Sequence, residues 1–161
     1  MSKIKNRSIS FDPNINNPYF QAMIQASEES VIIIKPDGLQ DRIAGKIISM
    51  FEDAGFTIEK MKLMKIDEKL ASKHYKDHIN EDFFGPLLKY ITSGPAIIMI
   101  ISGEDTINRA RNLMGPTDSR KAPKGTIRGD FGKDITINVV HGSDSIESGK
   151  REIRLFFGDK D

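Results

Sequence analysis

Residues 138–145 read Asn138-Val139-Val140-His141-Gly142-Ser143-Asp144-Ser145 and indicate a strand that passes into a helix. The two valines favour a strand, and either Asp144 or Ser145 can cap the helix that follows. A histidine at this junction is held by rigid backbone while its tip stays open, and Gly142 lets a bulky ligand approach closely. The predicted helix has an apolar face formed by Ile146, Ile153, Phe156 and Phe157.

His141 is the candidate nucleophile of this stretch. Neutral imidazole is nucleophilic near physiological pH, because its pKa is about 6.5. A loop histidine satisfied by local hydrogen bonds is the commoner alternative. Glu152 lies about two turns into the predicted helix and can reach back to orient His141 or its neighbour Ser143. A surface ion pair, for example with Lys150, is the commoner fate of a helical glutamate.

Two segments upstream combine glycine, hydroxyl and arginine side chains. They are Gly115-Pro116-Thr117 and Gly125-Thr126-Ile127-Arg128-Gly129-Asp130, and both Arg109 and Arg111 precede them on a predicted helix. Arginine forks, hydroxyls and exposed backbone amides are what a polyphosphate requires, and Lys35 adds a point charge. Each arginine taken alone is more often a solvated surface residue. Because the chain lacks a Walker loop and a Gly-x-Gly-x-x-Gly motif, a phosphate site has to be built from side chains and an unusual loop.

Apolar runs and amphipathic stretches alternate through the rest of the chain. This alternation predicts a sheet covered by helices, and both a parallel doubly wound sheet and an antiparallel ferredoxin-like sheet fit the pattern. A long irregular stretch, Gly115–Lys133, is typical of a functional loop. The predicted elements are strands at Val31–Ile34, Phe56–Ile66, Pro95–Ser102 and Ile135–Val140, a turn at Lys35–Gly38, and helices around Ile43–Phe51, Asp67–Tyr75, Asp82–Ile91 and Thr106–Met114.

Aromatic side chains lie close to two histidines in the stretch 74–84. Tyr75, Phe83 and Phe84 are near His74 and His78 along the chain. An exposed ring beside the cationic loop would stack on a nucleobase, which contributes roughly 1–3 kcal/mol without selecting the base. Packing in the core is the commoner role for either phenylalanine.

Composition narrows the class of protein. The chain has 161 residues, with 24 basic and 23 acidic side chains and no cysteine. Disulfides, zinc–thiolate sites and thiol nucleophiles are therefore excluded, and the lack of a basic surplus argues against nucleic acid as a partner. No apolar run is long enough for a signal peptide or a membrane span. We expect a cytoplasmic protein without a membrane partner.

Residues 1–28 are expected to form a flexible N-terminal extension. They are rich in Asn, Ser and Pro, and the stretch 12–18 (DPNINNP) opposes regular structure. From Ser30 the pattern of strands and helices becomes regular. Residues 29–161 are predicted to form a single domain, which is an ordinary size for one hydrophobic core.

Taken together, these segments resemble the nucleoside diphosphate kinase family. The resemblance runs across residues 30–158, in the order and at the spacings of that family. The pieces that carry it most strongly are Gly125–Phe131 (GTIRGDF) and Asn138–Ser145 (NVVHGSDS). The supporting pieces are Ile34–Gly38 (IKPDG), Lys73–Tyr75 (KHY), Phe83–Phe84, Ser93–Pro95 (SGP) and Met114–Thr117 (MGPT).

The resemblance implies a fold and a set of residue roles. The fold is α+β, a ferredoxin-like four-stranded antiparallel sheet covered by helices. The activity is a ping-pong transfer of the γ-phosphoryl group from a nucleoside triphosphate to a nucleoside diphosphate through a phosphohistidine at His141. The resemblance further implies base stacking by Phe83, ribose contacts by Lys35 and Asn138, phosphate contacts by Arg111, Thr117, Arg128 and His74, and supporting roles for Tyr75, Ser143 and Glu152.

The resemblance also implies partners. Mg²⁺ would arrive bridging the phosphates of the nucleotide, so that no all-protein metal site is expected. The chain would assemble with itself, as a hexamer or in some members a tetramer. Three departures from the family pattern are Asp41-Arg42 in place of the usual Arg-Gly, the N-terminal extension, and a short C-terminal tail after Phe157.

Three other kinds of protein share parts of this pattern. A nucleic-acid-binding module on a ferredoxin-like fold would want an aromatic and basic strand, whereas Val31–Ile34 and Ile97–Ile101 are aliphatic. A phosphomutase-like histidine enzyme typically has arginine before His-Gly, whereas Val140 stands here. A catalytically inactive relative would lack site residues, and every expected one is present.

Overall fold

A four-stranded antiparallel sheet lies at the centre of the computed structural model, which describes residues 27–159. The strands run in the order β2-β3-β1-β4, with antiparallel pairing throughout. This order confirms the ferredoxin-like arrangement and rules out the parallel doubly wound alternative. The strands are β1 (Glu28–Ile34), β2 (Thr57–Lys65), β3 (Pro95–Gly103) and β4 (Val140–Gly142).

Helices cover the sheet. Several begin at side chains that accept hydrogen bonds from the first turn: Asp67 from Leu70 N, Thr126 from Gly129 N and Ser145 from Ser148 N. Ser145, rather than Asp144, therefore caps the last helix. In the described residues the helices are α1 (Pro36–Gln40), α2 (Ala44–Asp53), α3 (Glu68–His74), α4 (Phe84–Ile91), α5 (Thr106–Met114), α6 (Ile127–Phe131) and α7 (Ile146–Phe157), with 3₁₀ turns at Lys76–His78 and Ser119–Lys121.

The two central strands, β1 and β3, are buried on both faces. That is why they read as continuous apolar runs instead of alternating ones. One face packs against α3, α4 and α7 through residues that include Ala71, Ile91 and Ile153. The other face packs against α2 and α5 through residues that include Phe51 and Met114. Within residues 27–159, no helix is both long and apolar enough to cross a membrane.

The predicted strand Ile135–Val140 is wrong for most of its length, since β4 begins only at Val140. Asp134 Oδ1 accepts hydrogen bonds from Thr136 N and Ile137 N, each at 2.7 Å, and this folds the chain into a turn. The local side-chain bonds override the strand preference of Ile135-Thr136-Ile137. Val139 then adopts a positive φ of 62°, which a β-branched residue rarely does.

Two other segments that were predicted to be irregular contain regular structure. The turn predicted at Lys35–Gly38 is the start of α1, because Pro36 suits the first helical position. The long stretch Gly115–Lys133 contains a 3₁₀ turn and α6, each capped by a side chain. The proposed extension lies outside the described residues, apart from its last two positions, and Glu28 already belongs to β1.

Close contact between α7 and β1 sets the position of the last helix. A Cβ atom placed on Gly149 of α7 would lie 2.7 Å from the backbone oxygen of Glu29 in β1. Only glycine allows this approach, and it brings the next turn of α7, which carries Glu152, over β4. Gly45 in α2, by contrast, has no atom within 4 Å of such a Cβ.

We predict opposite stability changes for two helical glycine-to-alanine substitutions. Gly45→Ala should stabilise the fold by about 0.5–1 kcal/mol, because alanine favours the helix and the site has room. Gly149→Ala should destabilise it by about 1–3 kcal/mol, because the methyl group meets backbone that cannot easily move. Urea midpoints at equal protein concentration measure both changes. Equal or greater stability of Gly149→Ala would contradict the packing described here.

Candidate active site

A cavity of about 480 Å³ opens where β4, α3, α7 and the 115–138 segment meet. Ten of the eleven site residues predicted from the sequence line it, and Ser143 lies directly behind it, bonded to Glu152. The ten lining residues are Lys35, His74, Tyr75, Phe83, Arg111, Thr117, Arg128, Asn138, His141 and Glu152.

His141 is bonded to a buried carboxylate. It projects from β4, and its Nε2 lies 3.1 Å from Oε2 of Glu152 on α7. The same Oε2 accepts a hydrogen bond of 2.6 Å from Ser143 Oγ, and Ser143 Oγ accepts one from Val31 N. A carboxylate can only accept a hydrogen bond, so Nε2 of His141 carries the proton and donates the hydrogen bond to Glu152. The free lone pair of a neutral His141 ring is therefore on Nδ1.

Glu152 is ionised despite its burial. Burial alone would raise the pKa of this carboxyl, but the facing charge of His141 and the hydrogen bonds from His141 and Ser143 outweigh it and lower the pKa. An anion beside Nε2 stabilises positive charge on the ring. The arrangement thus orients the imidazole and prepares it for a reaction in which the ring gains positive charge.

Two buried polar side chains face the cavity without a hydrogen-bonding partner in the described part of the chain. They are His74, through both ring nitrogens, and Tyr75, through its hydroxyl. Burial and the neighbouring charge of His141 lower the pKa of His74 to about 3, so His74 is neutral at physiological pH. Burial raises the pKa of Tyr75, which keeps the phenol protonated. Both residues therefore have polar groups left for a ligand.

Lys35 is a buried amine at the end of β1. Its Nζ donates to Oδ1 of Asn138 at 2.7 Å, and the Asn138 amide donates in turn to Thr117 O at 3.0 Å. Burial and the nearby charge of Arg128 lower the pKa of Lys35 to about 7. Free of ligand, Lys35 is thus partly uncharged near neutral pH, and an anion in the cavity would favour its protonation.

Asp37 fixes the backbone next to His141, and the sequence reading missed it. Its Oδ2 accepts from Val139 N at 3.1 Å, and its Oδ1 accepts from the hydroxyl of Tyr90. Lys35 N also donates to Val139 O at 2.8 Å. These bonds hold Val139 in its left-handed conformation and so aim His141.

Arg128 and Arg111 supply further positive charge to the cavity lining. Arg128 donates to Gly115 O at 2.9 Å and Val140 O at 2.8 Å, while burial and the charge of Arg111 lower its pKa to about 10. The candidate Arg109 does not take part. Its guanidinium donates to the backbone oxygens of Ala54 and Glu104 and lies over Phe56. Side chains two residues apart on a helix point in different directions, so Arg109 and Arg111 diverge.

An apolar slot forms the mouth of the cavity. Phe83 and Ile135 both line it, and they are 46% and 56% exposed. Exposed apolar side chains facing one opening suit a flat aromatic ligand between them. The role of Ile135 was missed because it was placed inside a predicted strand, and the turn at Asp134 is what exposes it.

Comparisons with known proteins identify the family of this chain. The model of the nucleoside diphosphate kinase family matches residues 28–161. A nucleoside diphosphate kinase of Methanobrevibacter smithii is 48% identical over 132 residues, which cover 82% of this chain and 88% of the relative. That of Pelotomaculum thermopropionicum is 50% identical over 130 residues, covering 81% and 87%. The chain belongs to the nucleoside diphosphate kinase family.

Solved structures of the family have the same fold. A halophilic nucleoside diphosphate kinase from Halobacterium salinarum, solved in complex with CDP, aligns with a TM-score of 0.80 at 43% identity and covers 83% of this chain and 89% of its own. The enzyme from Aquifex aeolicus aligns with a TM-score of 0.79 at 38% identity, covering 82% and 96%. The ferredoxin-like family fold expected from the sequence is therefore confirmed.

Other lining residues of this family member were not expected from the sequence. Asp77 and Arg151 form an ion pair at 3.6 Å at the rim, and Asp144 accepts from Ser148 Oγ at 2.5 Å. The hydrogen bond from Ser148 helps to lower the pKa of Asp144, which keeps it ionised. Their sequence signals are weak, since charged residues in turns and on helices usually face solvent.

A possible metal cluster lies in the same place, formed by His74, His141 and Glu152, whose ligand atoms are within 4.8 Å of one another. Two of its three ligands are nitrogens, whereas Mg²⁺ prefers oxygen. Glu152 is also already bonded to His141 and Ser143. This cluster therefore does not fit Mg²⁺.

We predict that nucleotide binding takes up a proton through Lys35. At about pH 8 the free amine is mostly neutral, and a bound phosphate would raise its pKa, so that up to about one proton is absorbed. The calorimetric heat should therefore depend on the ionisation enthalpy of the buffer. Lys35→Met should remove this dependence and Lys150→Met, an exposed control, should keep it. An identical buffer dependence in Lys35→Met would contradict the assignment.

Proposed function

We propose that His141 carries the phosphoryl group in the reaction of this nucleoside diphosphate kinase, and that Nδ1 is the reacting atom. The observation that carries the proposal is the bond of 3.1 Å between His141 Nε2 and the buried Glu152. That bond leaves the Nδ1 lone pair directed away from Glu152 on a ring that lines the cavity. The expected catalytic role of His141 and supporting roles of Ser143 and Glu152 are consistent with this geometry.

The first half-reaction exchanges two bonds to phosphorus. The Nδ1 lone pair attacks the γ-phosphorus of a nucleoside triphosphate, an N–P bond forms, and the bond to the bridging β,γ oxygen breaks with its electrons leaving on the diphosphate. The ring becomes positively charged, and Glu152 stabilises that charge. In the second half-reaction a terminal oxygen of another diphosphate attacks phosphorus, and the N–P electrons return to Nδ1. No proton has to leave Nε2.

Nucleotide contacts follow from the walls of the cavity. We assign the phosphates to Arg111, Thr117 and Arg128, with Tyr75 and His74 as neutral donors nearby, because positioning and charge neutralisation dominate phosphoryl transfer. Lys35 and Asn138 form a hydrogen-bonded pair, which would contact the ribose and the reacting end of the nucleotide. Phe83 would stack on the base, opposite Ile135. Stacking of this kind does not select the base. The Halobacterium salinarum relative was solved with CDP.

Mg²⁺ is proposed as the accompanying cation. When bound with the nucleotide it would neutralise charge on the transferred and leaving phosphates. Asp144, an ionised carboxylate on the cavity wall, would offer it an oxygen ligand. Lys35, Arg111 and Arg128 balance the remaining phosphate charge.

A phosphoryl-labelling experiment tests the proposed function directly. Incubation with γ-labelled ATP, an alkaline quench and electrophoresis should show acid-labile label on the wild type. His141→Ala should remove the label and nearly all turnover, because no other group in the proposed scheme carries the phosphoryl group. His78→Ala, a control that does not contact Glu152, should remain labelled. If His141→Ala kept more than about a tenth of the turnover, the proposed carrier would be wrong.

Self-association is proposed as well, as a hexamer or a tetramer. β2 is an edge strand, and its Met61 and Leu63 are exposed apolar side chains on one face. A second copy of the chain pairing along this edge would cover them.

The family match from residue 28 supports the proposed division between an extension and a domain of residues 29–161.

We predict that Leu63→Lys reduces the assembled mass. A charge in the covered face would weaken the contact between copies, whereas Ile146→Lys, at an exposed position away from β2, should leave the mass unchanged. Light scattering at micromolar concentration measures both. A wild type that stays at 18.1 kDa would refute self-association.

A further inference from the structure

Arg151 makes contacts that the proposed mechanism does not yet use. It precedes Glu152 on α7 and lines the cavity. Its Nη2 lies 3.8 Å from Glu152 Oε1, and its Nη1 lies 3.6 Å from Asp77 Oδ2. The Arg151 side chain is 37% exposed, whereas that of Glu152 is only 4% exposed. A guanidinium at the cavity rim therefore reaches inward to a buried carboxylate.

The two oxygens of Glu152 have different surroundings. Both short hydrogen bonds, from Ser143 and His141, reach Oε2. Oε1 faces two nitrogen groups at longer range, Arg151 Nη2 at 3.8 Å and His74 Nδ1 at 3.9 Å. A carboxylate can turn about its last torsion, so a cation that faces Oε1 helps to fix the plane of the group and keeps Oε2 directed at His141 and Ser143.

His74 cannot supply the charge that Oε1 faces. Burial, together with the nearby charges of His141, Lys35 and Arg151, lowers its pKa to about 3, and the opposing pull of Glu152 does not reverse this. His74 is therefore neutral across the working range of pH. The remaining cation beside Oε1 is Arg151, whose Nη2 lies 3.8 Å away.

We propose that Arg151 is a positioning residue that holds Glu152 through Oε1, so that Oε2 stays turned to Ser143 and His141. The inference rests on the proposed function, since it concerns how the nucleophile is oriented. Arg151 does not touch the reacting phosphorus in this scheme. It acts through Glu152, and its loss should slow formation of the phosphohistidine more than it weakens nucleotide binding.

A purely structural role makes a different prediction. The Asp77–Arg151 pair also ties the segment after α3, which leads to Phe83, to α7. If the Asp77–Arg151 ion pair were the important contact, Asp77→Asn and Arg151→Ala would reduce activity equally, and both would do so by weakening nucleotide binding. If Arg151 acts through Glu152, removing the Asp77 carboxylate leaves the second contact of the guanidinium intact.

Four variants separate these roles: Arg151→Ala, Arg151→Lys, Asp77→Asn and Arg154→Ala. Arg154 is the control, because it lies on the same helix and pairs with Asp159 at 3.7 Å near the surface. The rate of phosphohistidine formation and the KM for nucleotide are measured for each, from about pH 5 to pH 9. Melting temperatures establish that each variant is folded.

Arg151→Ala should lower the labelling rate roughly three- to fivefold, with KM changed less than about twofold, as expected for a partly exposed ion pair. The acid limb of its pH profile should move to higher pH. The groups that face Glu152 are then His141 on β4, His74 on α3 and Ser143, and loss of the Arg151 cation 3.8 Å from Oε1 would favour protonation of the carboxylate. Arg151→Lys should recover at least half of the rate, Asp77→Asn should lower it less than Arg151→Ala does, and Arg154→Ala should stay within about twofold of wild type.

Equal rates and pH profiles for Arg151→Ala and Arg154→Ala would overturn the inference. The proposed function would still stand in that case, provided that the wild-type protein takes up the acid-labile label. Equal losses in Arg151→Ala and Asp77→Asn, expressed in KM, would also overturn it in favour of the structural tie. A wild type that takes no acid-labile label would overturn the proposed function, and the inference with it.

Discussion

The buried carboxylate of Glu152 is the interaction on which the rest of the site depends. It is almost completely buried, yet it remains ionised because Ser143 and His141 bond to one of its oxygens. An unpaired buried charge would be strongly destabilising, so α7 and β4 have to meet in the register that supplies these partners. The packing of Gly149 against β1 makes that register possible. Fold and nucleophile are thus set by the same few contacts.

Burial also shapes the charges that would meet a polyphosphate. The pKa of Lys35 is lowered to about 7 and that of Arg128 to about 10, because both are partly stripped of water. His74 is neutral, and Tyr75 is protonated without a partner in the described part of the chain. Such groups lack partners or full charge on their own, and a multiply charged anion in the cavity would supply both a partner and a compensating charge.

Much of the fold and of the site could be predicted from the sequence, because the signals are local. The central strands appear as apolar runs because both faces are covered, and the caps at Asp67 and Ser145 act locally. The sheet topology came from resemblance, since alternating strands and helices fit parallel and antiparallel sheets alike. The side chains that carry strong local motifs, such as His141, lie in the cavity as expected.

What the sequence could not predict depends on contacts between distant residues. Asp37 bonds to Val139 across 102 positions, and that contact is invisible to any local pattern. The apolar run around Ile135 favoured a strand, but a turn held by Asp134 prevails and exposes Ile135 at the cavity. Arg109 and Arg111 looked equivalent, although only Arg111 faces the site. The importance of Arg151 likewise depends on the tertiary position of Asp77.

The central claim is that Glu152 holds Nε2 and leaves Nδ1 to react, so the most direct measurement identifies the nitrogen that bears phosphorus. The protein, labelled with ¹⁵N in histidine, would be phosphorylated by ATP, and the one-bond phosphorus–nitrogen coupling assigned by NMR under alkaline conditions. The account predicts phosphorus on Nδ1 of His141, with Nε2 still protonated. Phosphorus on Nε2, or on His74 or His78, would contradict it.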